Sequence, residues 1–290
     1  MRIGFIGAGR AGSALATALA QAGHPVVAVA DLRPERAAGL AAAVGAEAVP
    51  PARAVEAAEI VFLSVPDDAI APVAAALAAE RGVSSGKAFY HLSGLHPASL
   101  LLPLGPEEML GSLHPLLPLA DAERGAARLK GCLYAFEGGT KAREIARMLV
   151  RSLGGRFHVI AAEDKPLYHA AAVIASNYLV ALFDVAFGLL AHLGLAGKEA
   201  REAVRPLAEA TLANLLDLGP EGALTGPISR GDLGTVRTHL CRLAEHDENT
   251  AVLYRALGRV TLRLAERAGR LDETQIKALE SVLGREGRDG

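Results

Sequence analysis

The chain is poor in several residue types, and each shortage excludes something. Cys132 and Cys241 are its only cysteines and stand far apart, so neither a disulfide framework nor a cysteine-built zinc site fits, and a reducing cytosol is the expected compartment. Charge of one sign is also lacking. Lys plus Arg number 30 against 32 Asp plus Glu, leaving no broad basic field for nucleic acid or anionic lipid. The N-terminus opens on a strand-like run, Arg2 to Ile6, without the basic segment, apolar stretch and cleavage site of a secretory signal, in keeping with a cytoplasmic protein. Tryptophan is absent and side-chain amides are scarce, a bias that suggests a high-GC or thermophilic source and makes Asn177 conspicuous.

What is present divides into two textures. Over residues 1–160, apolar runs at 2–6, 25–30, 59–65, 87–92, 109–113, 131–137 and 156–160 alternate with Ala-rich stretches near 11–22, 34–44, 67–80 and 140–153. That alternation predicts a parallel sheet covered by helices. Over residues 161–290 the strand signals stop, and long helical patterns begin near Asp164, Gly197, Asp232, Asn249 and Asp272. The expected fold class is therefore an α/β Rossmann domain, 1–160, followed by an all-α domain, 161–290.

The pattern from Asp164 to Leu193 is apolar nearly all round and must be covered by its own domain or by a second subunit, which makes a homodimer the expected assembly. Ala170 to Leu193 is also long enough to cross a bilayer, but Asn177, Asp184 and His192 interrupt it. An intramembrane Asp costs roughly 2.5–3.5 kcal/mol, so a buried helix of a soluble protein is expected and no membrane partner.

The most specific local pattern is Gly7-Ala8-Gly9-Arg10-Ala11-Gly12, set between a strand and a helix. Gly7 permits a tight turn, Gly9 lets backbone approach a pyrophosphate, Gly12 lets helix and strand pack closely, and the helix N-terminus favours the anion. The next strand ends in Asp31, at the spacing where a carboxylate meets the adenosine ribose. The cofactor is thus NAD or NADP: Asp31 favours NAD, whereas Arg33 and Arg36 could hold a 2′-phosphate instead. Val65 and Pro66 follow the strand ending at Leu63 and should border the nicotinamide half, with Asp67 read as a helix cap.

Further motifs carry a resemblance. Val65-Pro-Asp-Asp68, His91-Leu-Ser-Gly94, Leu113-His-Pro115, Tyr168-His169 leading to Ala175-Ser-Asn-Tyr178, and Leu224 to Asp232 leading to His239 cover almost the whole chain. It resembles a family of two-domain proteins with a Rossmann-like domain and a C-terminal helical domain of unknown function. That family is similar to the group containing 6-phosphogluconate dehydrogenase, 3-hydroxyisobutyrate dehydrogenase, pyrroline-5-carboxylate reductase and ketopantoate reductase. The resemblance implies a C-terminal domain like that of 6-phosphogluconate dehydrogenase, and hydride exchange between NAD(P) and a small oxo or hydroxy acid, with ketopantoate reduction the most specific expectation. A deazaflavin-dependent NADP reductase and a nonenzymatic nucleotide sensor are the alternatives. Relatives in this group place a catalytic lysine on the first C-terminal helix, with an asparagine one or two turns on. Here His169 lies near that place, Asn177 stands eight residues on, and no lysine follows Lys165 within the helix.

Reduction of a carbonyl needs hydride, a proton donor and a grip on the substrate's other end. His169, His114 and Asn177 are the candidate catalytic residues, with His91 in reserve, because imidazole titrates near neutrality. Ser93 and Gly94 end a strand where a hydroxyl and open backbone could meet a carboxylate, and Ser176 shares a helix face with His169. Arg230 sits in a turn opening a helix, a good carboxylate receptor. Asp232, His239 and His246 recur on a helical face, but no metal site is expected.

Overall fold

In a computed structural model the chain is described over residues 1–81, 86–119 and 122–284. It forms two compact units, Met1–Leu179 and Val180–Gly290. Strand texture ends near 160, as expected, but the first unit continues to Leu179, because the start of the next helix packs its polar residues against the sheet's end.

The first unit holds one eight-stranded sheet: β1 (Ile3–Ile6), β2 (Val26–Ala30), β3 (Glu47–Ala48), β4 (Ile60–Leu63), β5 (Ala88–His91), β6 (Leu110–Pro115), β7 (Leu133–Gly138) and β8 (Arg156–Val159), in the order β3-β2-β1-β4-β5-β6-β7-β8. The sheet is parallel, as expected, in every pair but one: β6 and β7 are antiparallel. Pro115 pairs with Tyr134, so the connection leaves and re-enters the sheet at the same end, which a crossover between parallel strands cannot do. The helices are α1 (Arg10–Gln21), α2 (Pro34–Val44), α3 (Pro51–Ala57), α4 (Ile70–Arg81), α5 (Ala122–Leu129) and α6 (Thr140–Ser152). The short β3, α3 and α5 were not anticipated.

The strands are apolar on both faces because both are covered. Ile3, Phe5, Phe62 and Tyr90 belong to one apolar layer with α1 and α6, while Ile6, Val61, Leu63 and Phe89 belong to the other with α3 and α4. Phe5, Phe62 and Tyr90 stack in sequence with ring centroids 5.1 Å apart. The chain order reverses at β1, flanked by β2 and β4, and in such sheets ligands lie beyond the strands' carboxyl ends at that reversal.

The helical pattern expected from Asp164 to Leu193 is broken. Helix α7 (Lys165–Ala175) ends at Ser176 (φ −121°, ψ −68°), and α8 (Asn177–His192) starts afresh. Then follow α9 (Gly197–Ala223), kinked at Gly219 and Pro220, α10 (Leu233–His246), α11 (Glu248–Arg267) and α12 (Glu273–Leu283). Asp232, Asp247 and Asp272 each accept a backbone N–H at a helix start, which is why the sequence announces those helices. Ile228, Val236, Leu240, Leu262, Leu279 and Leu283 form the core of this second unit. Cys132 is half-buried and Cys241, on α10, is exposed.

Lys165–His192 is long and apolar enough to cross a membrane, and none of its most apolar window is buried within the chain. The expectation of a buried helix is therefore not met by the single chain. Leu167, Ile174, Tyr178 and Val180 stand exposed, as do Leu207, Leu212, Leu216 and Leu218 of α9.

Candidate cofactor and active site

The glycine loop leaves the end of β1 and enters α1. A Cβ on Gly7 (φ +104°) would collide with the Ser64 carbonyl, and one on Gly12 would collide with the Ser64 hydroxyl, so both glycines are required by close approach of the β4 end. The Ser64 hydroxyl fixes the loop by donating to the Gly7 carbonyl at 2.6 Å. Gly9 differs: a Cβ there would meet only the Ser64 oxygen at 3.9 Å, and otherwise open space. No close approach within the chain requires glycine there. Gly9 caps α1 without a side-chain bond, and the first turn, which includes Arg10, Ala11 and Gly12, carries no acidic residue. The free N–H groups and the macrodipole there fit an anion.

Asp31 stands at the end of β2, as expected. Its carboxylate accepts from the backbone N–H of Ala8 at 2.7 Å and of Arg33 at 2.9 Å, tying the glycine loop to the end of β2. Arg33 and Arg36 are exposed beside it. Val65 is half-buried and Pro66 exposed at the end of β4.

A second cluster gathers at the ends of β4, β5 and β6. Ser93, just beyond β5, has every polar atom bonded. Its hydroxyl donates to Asp67 Oδ2 at 2.7 Å and accepts from the N–H groups of Leu95 and His96 at 3.1 and 3.0 Å. Its N–H donates to His91 Nδ1 at 3.2 Å, and its carbonyl accepts from Ser112 Oγ at 2.9 Å and Lys165 Nζ at 3.1 Å. A hydroxyl offers one donor and two acceptor positions, and all are taken. The expected substrate role of the Ser93 hydroxyl is thereby corrected: it is an internal tie. Asp67 is corrected likewise, since its carboxylate grips Ser93 and no cap bond is made at that helix start.

His91 accepts at Nδ1 and lies 3.1 Å from the Pro97 carbonyl at Nε2, an arrangement that fits the neutral tautomer with Nε2 as donor. Burial, reinforced by the nearby Lys165 charge, pushes its pKa down to about 4. It is fully occupied by the turn and has no nitrogen to offer a substrate.

His114 and His169 are the groups left facing one another. His114 Nδ1 lies 2.8 Å from the Tyr168 hydroxyl, and the rings of His114 and His169 stand edge to face with centroids 6.3 Å apart. Both close on Gly94: a Cβ there would lie 2.9 Å from His169 Nδ1 and 3.1 Å from His114 Nε2. His169 Nδ1 is buried and has no hydrogen-bond partner. Such an atom forfeits about 1–3 kcal/mol unless something outside the chain satisfies it. Burial first, then the charges of Lys165 and His169, push the His114 pKa down to about 4, while burial raises Tyr168 to about 12. His114 is therefore neutral at physiological pH and can bond to a substrate atom without charging it.

Sequence reasoning passed over Lys165. It is fully buried, donates to Ser112 Oγ at 2.7 Å as well as to Ser93, and burial lowers its pKa to about 8 despite the opposing carboxylates of Glu137 and Asp67. Ser176 and Asn177 lie at the break between α7 and α8, Ser176 half-buried and Asn177 exposed. Helix periodicity no longer carries His169 and Ser176 onto one face. In the second unit Arg230 is exposed on the 3₁₀ turn Ile228–Arg230, and Asp232 caps α10 through Thr235. His239 pairs with the Tyr254 hydroxyl at 2.9 Å. Among the described residues no group of three His, Cys, Asp or Glu could hold a metal.

Residues 2–87 match a family model described as NADP oxidoreductase, coenzyme F420-dependent. Over these residues the chain is similar to NADP-dependent oxidoreductases. Residues 132–261 match the model of a domain of unknown function, DUF2520. A Bacteroides fragilis protein assigned as an NADP oxidoreductase is 25% identical with a TM-score of 0.74, over 90% of this chain and 98% of that one. A Thermotoga maritima protein is 26% identical with a TM-score of 0.72, over 93% and 100% of the two chains. An imine reductase from Pseudomonas sp., 18% identical over 98% and 99% with a TM-score of 0.62, shares the fold. No curated protein matches the chain. The expected cofactor, NAD or NADP, agrees with these matches.

Proposed function

We propose that this oxidoreductase reduces a small carbonyl or imine compound bearing an acid group, with ketopantoate the first candidate. The carbon gains hydride and its oxygen or nitrogen gains a proton. The observation that carries the reading is the buried, unpartnered Nδ1 of His169 beside the neutral His114, both closing on a glycine at the end of β5. His169 is the proton donor in this reading, and His114, held by Tyr168, is a hydrogen-bonding partner of the same atom. The space above Gly9 and the bare start of α1 suit the pyrophosphate, Arg33 and Arg36 the 2′-phosphate, and Val65 and Pro66 the side of the nicotinamide. NADPH, when bound, supplies the hydride. Arg230 keeps its proposed role as carboxylate receptor on the sequence argument alone.

The test follows NADPH absorbance while the purified protein meets ketopantoate, other small oxo acids, cyclic imines and an oxidised deazaflavin. Turnover on an oxo acid or imine is expected. Turnover on the deazaflavin alone would replace this reading with the one the family model's description suggests.

We also propose a homodimer through the helical unit. The exposed Val180, Leu207, Leu212, Leu216 and Leu218 give more apolar surface than an isolated chain of this size keeps in water. Leu216→Asp with Val180→Asp should convert a dimer into a monomer by light scattering. A wild-type chain that is monomeric at micromolar concentration would refute the assembly.

A further inference from the structure

Lys165 is the only buried residue of either charge among the described residues, and nothing in the proposed reduction uses it directly. Placing an ammonium in an apolar interior is costly unless its donors are matched, and an uncharged side chain of similar length would pack there at lower cost. What its two bonds join is informative. The Ser93 carbonyl belongs to the turn after β5, and Ser112 Oγ belongs to β6, two residues before His114. Lys165 itself begins α7, four residues before His169. One ammonium thus touches the three segments that carry Gly94, His114 and His169.

We propose that Lys165 is a positioning residue of the reaction site: its buried ammonium fixes the turn bearing Gly94 to the strand bearing His114 and the helix bearing His169. This rests on the reading that the two imidazoles serve the reduction. Two other bonds each join two of the three segments: Ser112 Oγ reaches the Ser93 carbonyl, and the Tyr168 hydroxyl of α7 lies 2.8 Å from His114 Nδ1. Lys165 is the residue whose bonds join the turn and β6 to its own helix at one point. The charge has a second consequence for the rings around it. His91 and His114 face Lys165, as do the carboxylates of Asp67 and Glu137, and the ammonium opposes protonation of both imidazoles while the Asp67 carboxylate favours it. Lys165 therefore ties the strand that carries His114 to the turn, and its charge adds to the burial that keeps the ring neutral. Its ammonium is spent on the Ser93 carbonyl and Ser112 Oγ.

Histidine ring titration by NMR on the full chain tests this without a substrate. In Lys165→Met the His114 resonance should titrate at higher pH than in the wild type, and the Gly94 amide should shift. Lys165→Arg, which keeps the charge, should leave the His114 titration near its wild-type position. NADPH affinity, set at the glycine loop, should stay within about threefold in both. An unchanged His114 titration and Gly94 amide in a folded Lys165→Met would overturn the proposal. Should that variant not fold, Ser112→Ala decides: it removes one of the two ties, and an unmoved Gly94 amide and His169 ring would equally refute the positioning role. Failure of the wild type to bind NADPH would instead strike the reductase reading and leave the histidine titrations standing.

Discussion

Two turns follow β1 and β5, the strands on either side of β4, and are built on opposite plans. The glycine loop after β1 leaves helix N–H groups free and open space above Gly9, whereas the turn after β5 bonds every polar atom of Ser93 and encloses Gly94 between two imidazoles. Glycine is needed in both, for different reasons. At Gly9 the missing side chain leaves room for a ligand, and at Gly94 it leaves room for the chain's own rings. A site can thus be made by leaving backbone unsatisfied or by satisfying it so fully that a few side chains are held in strict register.

The contrast can be broken at either turn, and the largest effect is expected at the second. His169→Ala should lower turnover by about 10² to 10⁴, some 2.7–5.5 kcal/mol in activation free energy, with NADPH affinity unchanged. Near-wild-type turnover would move the donor's role to another group.

The closed turn should also be acid-sensitive. His91 and His114 have folded pKa values near 4 against about 6.5 unfolded, so as pH falls the unfolded chain takes up protons first. Their stabilising contribution is complete above about pH 6.5, is lost progressively down to about pH 4, and is flat below, with each ring contributing up to about 3 kcal/mol. Urea midpoints measured across that window should fall, and His91→Gln should lessen the slope.

The open loop gives the next effect. Gly9→Val should weaken NADPH binding by about a hundredfold, some 2.7 kcal/mol, with thermal stability retained, while Gly12→Ala should destabilise the fold itself because Ser64 occupies the space. Calorimetry beside thermal melts separates the two, and equal behaviour would erase the distinction between them. Ser93→Ala is expected to have the smallest effect, about 2 kcal/mol in unfolding free energy, as two N–H groups and Asp67 lose their shared partner.

These plans differ in how far sequence betrays them. Gly7, Gly9 and Gly12 lie within six residues, and the strand before and helix after them are themselves periodic, so local spacing suffices. Helix starts were equally plain where Asp232 and Asp272 cap them. The Ser93 hub was hidden because its partners lie up to 72 residues away, and a serine near a strand end looks the same whether it meets a ligand or Lys165. One local signal was available. A lysine in the first turn of an apolar helix stands at the wrong end of the macrodipole, and that misplacement called for a partner elsewhere. Two-residue β3 is too short to show a strand's alternation, and Ser176-Asn177 reads equally well as two polar positions on a continuous helix.

The two thiols make the protein a convenient object for spectroscopy. Burial raises the Cys132 pKa to about 11, so at pH 7 only about one molecule in ten thousand presents a thiolate there. Cys241 stands exposed on α10, remote in sequence from both turns. A maleimide dye or spin label applied at neutral pH to the unmodified chain should therefore attach at Cys241, giving a reporter on the helical unit without a cysteine-free background.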